Sequence, residues 1–388
     1  LTEETPHIDS PTPPPKKKLG WFSKIILGLN WFAIAGLFLS LISPFVNPAV
    51  FWPLAFFGLF HPAFVVMNFF FLLLWTIRRR KQAYYTLVIL LLNIPWYGKQ
   101  FRFHFSTPPS APASAFKVMS YNVKLFDLYN WSKDTNTRAN MFTLIAKEKP
   151  DLLNIQEFYN EDSGAFRNLD SLKKLLSLPF VHVEYTISLR GDDHWGVVTF
   201  SKFPIVNTGK IVFNTRNNNI CIYTDLLIDK DTIRVYNMHL QSISLGYADM
   251  KTLDQLGKGE DLDDEVEGSK NILRRMKRAY IKRAGQSESI ANHIAKCPYK
   301  LIVCGDFNDT PISYCYRTIS SGLQDSFVEC GTGFGKSLAG FGNSFVDFFP
   351  FPRIDYIFHS PSMHAFEYKT IQEKGLSDHY PVVCKISK

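Results

Sequence analysis

The stretch Leu301-Ile302-Val303-Cys304-Gly305-Asp306-Phe307-Asn308-Asp309 decides how the chain is read. A short unbroken apolar run predicts a strand buried on both faces. The polar residues then fall at its carboxyl end, where α/β sheets place their chemistry. Asp306 and Asn308 are two apart, so an extended backbone points both the same way. A carboxylate beside a carboxamide suits water activation, with the acid taking a proton and the amide orienting. Gly, Asp and Asn also end strands in simple turns, so the stretch alone leaves both readings open.

Outward from it, other strands finish in polar groups. Phe116 to Asn122 ends in Ser120-Tyr121-Asn122, and Leu152 to Gln156 runs into Glu157. Thr232 to His239 ends in Asn237-Met238-His239, while Ile354 to His359 carries Asp355 and the last strand, Val382 to Ile386, follows Ser377-Asp378-His379. Further strands are expected at Val181 to Ser188, Val197 to Ser201 and Ile220 to Ile228, with helices at Asn136 to Lys147 and Asn271 to Ala295. In the second helix Leu273, Met276, Tyr280, Ala284, Ala291 and Ile294 share one face. Residues 254–267 are acidic and read as a solvated loop, and 331–352 as a Gly- and Phe-rich loop. Alternating strands and helices over this length predict an α/β sandwich-like domain. Singly, each polar strand end has a structural explanation: a cap, a turn or a hydrogen-bonded core histidine. As a set they suit a hard divalent ion, which takes oxygen ligands, with two histidines to meet a phosphoryl oxygen or a leaving group.

The first hundred residues are of another kind. Residues 1–20 are Pro- and Lys-rich and read as a disordered tail. The chain opens on Leu1 rather than Met, so residues are expected to precede it. Ile25 to Ile42, Val50 to Ile77 and Ala83 to Trp96 are apolar and free of charge, which predicts a transmembrane segment of three helices over 21–100. Successive apolar runs do not fit a cleaved signal peptide. Lys16 to Lys18 and Arg78-Arg79-Arg80-Lys81 are then cytoplasmic; three spans put everything after Gly98 on the non-cytoplasmic side, whereas two spans, with the short third run interfacial or re-entrant, put it inside. Residues 101–115 read as a linker, and 116–388 as a separate α/β domain.

Charge follows the same division. Residues 1–105 carry ten Lys or Arg and three acids, so +7 of the net +8 lies there and the other 283 residues carry +1. The larger domain lacks the bulk positive charge of a protein that grips nucleic acid non-specifically. The six cysteines include no Cys-x-x-Cys pair, which argues against a zinc site, and Cys304 and Cys384 lie in apolar runs as core residues.

Ser-Tyr-Asn-Val, Asn-Ile-Gln-Glu, Asn-Met-His-Leu, Gly-Asp-Phe-Asn, Arg-Ile-Asp-Tyr-Ile and Leu-Ser-Asp-His-Tyr-Pro-Val occur in this order. In this the chain resembles the endonuclease/exonuclease/phosphatase (DNase I-like) superfamily over residues 116–388. The resemblance implies a four-layer sandwich of two packed mixed β-sheets flanked by helices, and Mg²⁺-dependent cleavage of a phosphodiester, with Mn²⁺ as a substitute. It implies Glu157, Asn122 and Asp378 at the metal. Asp306 would activate the water with Asn308 beside it, His239 and His379 would meet the phosphoryl group, and Asp355 would orient a histidine. Some family nucleases have an acid two residues after the first Asn, where this chain has Lys124.

Three functions follow. A membrane-anchored nuclease is favoured by the family and by the basic stripe Arg274, Arg278 and Lys282, with Arg275 near it. A phospholipid or sphingomyelin phosphodiesterase is the alternative, with Phe345 to Phe351 as a loop dipping into headgroups. A non-catalytic membrane binding protein is the third. The expected partners are a phosphoester, as nucleic acid or lipid headgroup, and the bilayer through residues 21–100. No protein partner is evident.

Overall fold

The computed structural model describes residues 20–103, 109–213, 218–243, 262–340 and 352–388. Two six-stranded sheets face each other, one ordered β11-β12-β1-β2-β4-β3 and the other β5-β6-β7-β8-β10-β9. Their strands are β1 (Phe116–Asn122), β2 (Leu152–Glu161), β3 (Phe180–Leu189), β4 (Asp193–Ser201), β5 (Ile205–Ile211), β6 (Ile220–Ile228), β7 (Asp231–His239), β8 (Lys300–Asp306), β9 (Gln324–Asp325), β10 (Asp355–His359), β11 (His364–Thr370) and β12 (Val382–Ser387). Each sheet has one parallel pair at its centre, β1 with β2 and β7 with β8. The other pairings are antiparallel, so both sheets are mixed.

The apolar runs are unbroken because both faces of the central strands are buried. Val118, Leu152, Ile302 and Cys304 point between the sheets, where Val235 and Ile357 meet them. Met119 and Leu153 pack outward on helix α7 (Thr137–Glu148). Val303 and Tyr236 pack outward on α9 (Leu262–Ile294) and α10 (Tyr314–Ile319). Helix, sheet, sheet and helix form the four layers. The six cysteines are free thiols, and Cys304 and Cys384 are core residues as expected.

Three expectations are corrected. The acidic stretch is not loop throughout, because α9 already begins at Leu262. Leu273 is exposed at 44%, although its neighbour Ile272 and Tyr280, Ala284 and Ile294 further along α9 are buried. Strands β5, β9 and β11 lie outside the expected set; β5 reads Ile-Val-Asn-Thr-Gly-Lys-Ile and lies at a sheet edge, where polar side chains meet water.

The N-terminal segment is a helical bundle. Helix α1 (Trp21–Ile42) is followed by α2 (Pro48–Phe51), α3 (Leu54–Leu59), α4 (His61–Ile77), α5 (Gln82–Leu92) and α6 (Ile94–Gln100). The run from Val50 to Ile77 is therefore not one helix. Pro53 and Pro62 lack the N–H that a continuing helix needs, and the chain turns at both. Among the described residues one helix, Trp21–Phe45, is long and apolar enough to cross a membrane, while His61–Ile77 and Gln82–Leu92 are shorter. At Asn93 the backbone N–H bonds to Leu90 O, and the side chain donates to Ile89 O (2.8 Å) instead, which lets α5 pass into α6 without an orphaned carbonyl. Polar groups tie the helices together: Trp75 Nε1 donates to Asn30 Oδ1 (3.0 Å), and Asn30 donates to Thr86 Oγ1 (3.1 Å).

The bundle docks on the sandwich through one end. Phe56 meets Tyr280 edge-on, Lys277 lies over Trp52, and Asn47 donates to Glu288 (2.7 Å). Arg102 and Gly333 exchange backbone hydrogen bonds, and buried Arg353 donates to Lys99 O (2.8 Å) while pairing with Asp325 (2.9 Å). Gly58 lies so close that an added Cβ would stand 2.1 Å from Ile312 O. Gly58→Ala is expected to lower stability by about 1–3 kcal/mol, an overpacking cost, read as a lower unfolding midpoint of the full chain in detergent. An unchanged midpoint would mean the bundle does not rest there.

Candidate active site

The carboxyl ends of the two parallel pairs meet at one end of the sandwich. β1 delivers Asn122, β7 delivers His239 and β8 delivers Asp306. Asp306 stands in register with His239 on one side and Asp355 on the other, so one rung of the second sheet supplies three site residues. Gly305 lets the strands close up there, since a Cβ would stand 2.1 Å from Met238 O. Glu157 arrives differently. Ile155 and Phe158 both face the outer core, and a bulge between them puts Glu157 in the left-handed region (φ 48°). The bulge re-aims its carboxylate toward the gap between the sheets.

Asp306 has no exposed surface. Its carboxylate accepts from Asn122 Nδ2 (3.0 Å), Asn308 N (2.8 Å) and Asn308 Nδ2 (3.0 Å). Burial pushes its pKa up to about 6, and the nearby His379 limits the rise. Asn308 is not extended as expected. It is left-handed (φ 53°), because the chain turns sharply after the strand, and its amide folds back onto Asp306 and Leu240 O. His379 Nδ1 bonds Asp355 Oδ2 (2.9 Å), with Nε2 3.6 Å from Asp306. Burial pulls the His379 pKa down, but Asp355 and Asp306 outweigh it and hold it well above the ordinary value. His239 is the opposite: burial lowers it, so it is the neutral imidazole. Its Nε2 lies 3.5 Å from Glu157 and 3.7 Å from Asp306 and makes no hydrogen bond.

Asn122 turns its amide nitrogen to both carboxylates, Glu157 Oε1 at 3.3 Å, while its oxygen accepts from Lys124 N (3.0 Å). Asp378 stands nearby but ion-pairs with Lys124 Nζ (2.8 Å). Burial first, and then Asp378, raise the Glu157 pKa. Several residues of this architecture carried no assigned role in the motif reading. Ser337 Oγ accepts from Ile354 N and Asp355 N, and Ser377 Oγ donates to Asn122 O (2.8 Å). Gln156 donates to Asn237 Oδ1 (2.7 Å) across the sheets. The motifs Asn-Ile-Gln-Glu and Asn-Met-His-Leu contain Gln156 and Asn237, but a buried amide pair has no spacing signature of its own.

Lys124, Leu125, Phe126 and Asp127 are all left-handed, at φ 42°, 55°, 54° and 58°. Such a turn is costly for residues with a Cβ. It is held by fully buried Phe126, edge-on to Phe142 and Phe158, and by Asp127, which accepts from Ser132. The turn presents Leu125 and Tyr129 to a cleft of about 680 Å³. Glu157, His239, Ile187, Leu189 and Trp195 line it, together with Arg275, Arg278 and Lys282 of α9. Arg274, expected in the basic stripe, does not line it and bonds Asn271. Phe345 to Phe351 lie outside the described residues.

The donor set fits a divalent ion. Asp306, Asp355 and His379 have atoms all within 4.8 Å of one another; with His379 protonated, the carboxylates are the groups there that can face a cation, and Asp355 Oδ1 has no hydrogen-bond partner. Two carboxyls raised by burial are the groups a cation would relieve. A buried acid–imidazole cluster where two stacked mixed sheets meet is the site of a phosphoester hydrolase. The chain belongs to the endonuclease/exonuclease/phosphatase family, whose model matches residues 119–379. Residues 23–100 match a second model, Domain of unknown function (DUF8431). Similar solved structures include an endonuclease/exonuclease/phosphatase family protein from Leptotrichia buccalis C-1013-b, 18% identical, covering 71% of this chain and 100% of that one at TM-score 0.46. The human Nocturnin catalytic domain with bound sulfate is 17% identical over 71% and 94% of the two chains at TM-score 0.47. A mannosyl-6-phosphatase from Bacteroides thetaiotaomicron VPI-5482 is 18% identical over 70% and 100% at TM-score 0.45. No curated protein matches the chain. The protein is a metal-dependent hydrolase of phosphoester bonds that works with a divalent cation.

A carboxyl raised by folding stabilises most when protonated. With divalent ions chelated, the Asp306 contribution is therefore present below about pH 4 and lost as pH rises through about 6. The loss is on the order of 3 kcal/mol. Urea unfolding in EDTA across this range should show wild-type stability falling relative to Asp306→Asn. Parallel pH profiles would mean that Asp306 ionises normally.

Proposed function

We propose that the chain is a membrane-anchored, Mg²⁺-dependent phosphodiesterase whose catalytic domain, residues 116–388, lies on the non-cytoplasmic side. The observation that carries the chemistry is the convergence of Glu157, Asp306, His239 and the Asp355–His379 pair, from four strands and the turn before β12, with Glu157 and His239 lining the cleft and the other three buried next to them. Glu157 would hold a bound Mg²⁺ or Mn²⁺, with Asp306 close by, and the ion would supply charge neutralisation at the phosphoryl oxygens. Asn122 and Asp378 work from beside the ion, since the first gives its N–H groups to the carboxylates and the second is engaged by Lys124.

Asp306, with a pKa of about 6, takes a proton from the attacking water while Asn308 fixes the carboxylate's direction. The water oxygen joins phosphorus as the ester P–O bond breaks, and the departing oxygen takes a proton from solvent at the open mouth. His379, held as imidazolium by Asp355 and Asp306, meets the developing phosphoryl charge, and neutral His239 stands on the Glu157 side. Asp355 orients His379.

The bundle's surface supports the anchor. Phe32, Phe38, Phe69, Phe70, Leu73 and Leu92 each leave about half or more of their surface outside, far more than a water-facing bundle exposes. Because α1, α4 and α5 alternate in direction, the turns at 43–60 and the end of α6 face the sandwich, and Arg78 to Lys81 lie at the other end. Positive charge at the far end favours a cytoplasmic far end. Lys99, on the near side, lies 4.4 Å over Trp96 and 5.2 Å over Tyr316. The remaining division is a tail at 1–20, the spanning segment at 21–100 and a linker at 101–115.

The test is hydrolysis of bis-p-nitrophenyl phosphate by the purified full chain with Mg²⁺. Asp306→Ala should lower kcat by about 100- to 10,000-fold, and Glu157→Gln should raise the Mg²⁺ concentration needed by about 10- to 100-fold or more. A folded wild type without activity would sink the enzymatic reading, and activity indifferent to Asp306 would sink the site. For topology, a reporter after Lys388 that works only in the cytoplasm should stay silent.

A further inference from the structure

We infer that Ser337 is a positioning residue for the Asp355–His379 pair, held in place by residues 99–102 where the helical bundle ends. This rests on the phosphodiesterase reading above, in which His379 meets the phosphoryl charge.

Two backbone N–H groups create the need for this side chain. β10 begins at Asp355 beside β8. On its other side β9 is two residues long and pairs with Phe358 and His359, so that ladder stops short of Asp355. Buried N–H groups need acceptors. Those of Ile354 and Asp355 both find Ser337 Oγ, at 2.9 and 3.0 Å. Ser337 has no exposed surface, so solvent does not reach in to replace the hydroxyl. An alanine there would strand both donors, one of them on the residue whose carboxylate holds His379 Nδ1 (2.9 Å).

The same short stretch grips the other half of the pair. Tyr380 N donates to Ser337 O (2.6 Å), Ala339 N donates to Asp378 O (2.6 Å), and Leu338 forms an isolated antiparallel bridge with His379. Ser337 N and Leu338 N both donate to Pro352 O, each at 3.1 Å. Residues 337–339 therefore lie between the start of β10 and the turn that carries His379, and they set the spacing of acid and imidazole. The bundle holds this clamp at two places. Gly333 exchanges backbone hydrogen bonds with Arg102 (2.8 and 2.9 Å), and the Phe334 ring meets Phe101 at 4.9 Å. Arg353, two residues before Asp355, donates to Lys99 O (2.8 Å). The N-terminal segment thus has a part in shaping the active site, besides any anchoring. Partners that orient a site residue from behind affect activity without touching substrate.

The full chain in detergent, with bis-p-nitrophenyl phosphate and saturating Mg²⁺, tests this. Ser337→Ala is expected to lower kcat by about 10- to 100-fold, with KM little changed. Ser337→Thr, which keeps the hydroxyl, should retain most of kcat. With ¹⁵N-labelled histidine, the proton between His379 Nδ1 and Asp355 should give a far-downfield NMR signal, assigned by its absence in His379→Gln. That signal should persist in Ser337→Thr and be shifted or lost in Ser337→Ala. Phe334→Ala removes a ring that is 38% exposed, which spares the interior, and should lower kcat in the same way by a smaller factor. A folded Ser337→Ala with wild-type kcat, a loss confined to KM, or an unmoved His379 signal overturns the inference. Where Ser337→Ala does not fold, wild-type kcat and an unmoved His379 signal in Phe334→Ala overturn it. A folded wild type that hydrolyses nothing overturns the phosphodiesterase reading instead, and the His379 signal then decides by itself whether Ser337 places the pair.

Discussion

A carboxyl group with no contact with water is the constraint around which this domain is built. Asp306 is tolerable in the interior because an amide from the first sheet and the turn that follows its own strand donate to it, and the His379 imidazolium stands 3.6 Å away as its ion partner. Each donor belongs to a different part of the chain, so the site forms only when the two sheets have closed on each other. The same burial that makes Asp306 costly makes it useful, since a carboxyl with a pKa near 6 is a better base toward water than an ordinary aspartate. The buried amides Gln156 and Asn237 extend this polar layer between the sheets, where a core of Val, Leu and Ile would otherwise continue.

Much of this was legible in the residues. Strands buried on both faces announce themselves as apolar runs, and β6 was bounded as Ile220–Ile228 from pattern alone. The polar residues closing those runs, in order, carried the family. Illegible were features that depend on what a neighbouring segment does. Nothing local says that Asn308 turns back rather than points forward, that Glu157 sits in a bulge, or that Lys124 spends its charge on Asp378. Edge strand β5 was hidden because its exposed face permits polar residues. Within the apolar N-terminal region, hydropathy saw a span where Pro53 and Pro62 break the helix, because an index of composition does not register a missing N–H.

The bundle and the sandwich are bound as tightly as parts of one body. Gly58 admits the carbonyl of Ile312, Arg353 is buried between Asp325 and the end of α6, and Arg102 extends a bridge to Gly333. The loop that Gly333 begins also carries Ser337, whose hydroxyl fixes the backbone of Asp355 and so the partner of His379. Contact with the bundle is thus only a few bonds from the imidazole in the cleft.

Helix α9 has little idle surface past its middle. One side rests on the bundle, a second buries Tyr280, Ala284 and Ile290, a third faces the cleft, and Arg283 reaches Asp309 and Gln241 O between them. Such a helix is intolerant of changes in length. Inserting one residue near its centre would turn everything beyond it by about 100°, exchanging the side that meets the bundle with the one that meets the core. Among relatives that keep this arrangement, variation in α9 should therefore take the form of substitution, with gaps and insertions confined to its ends.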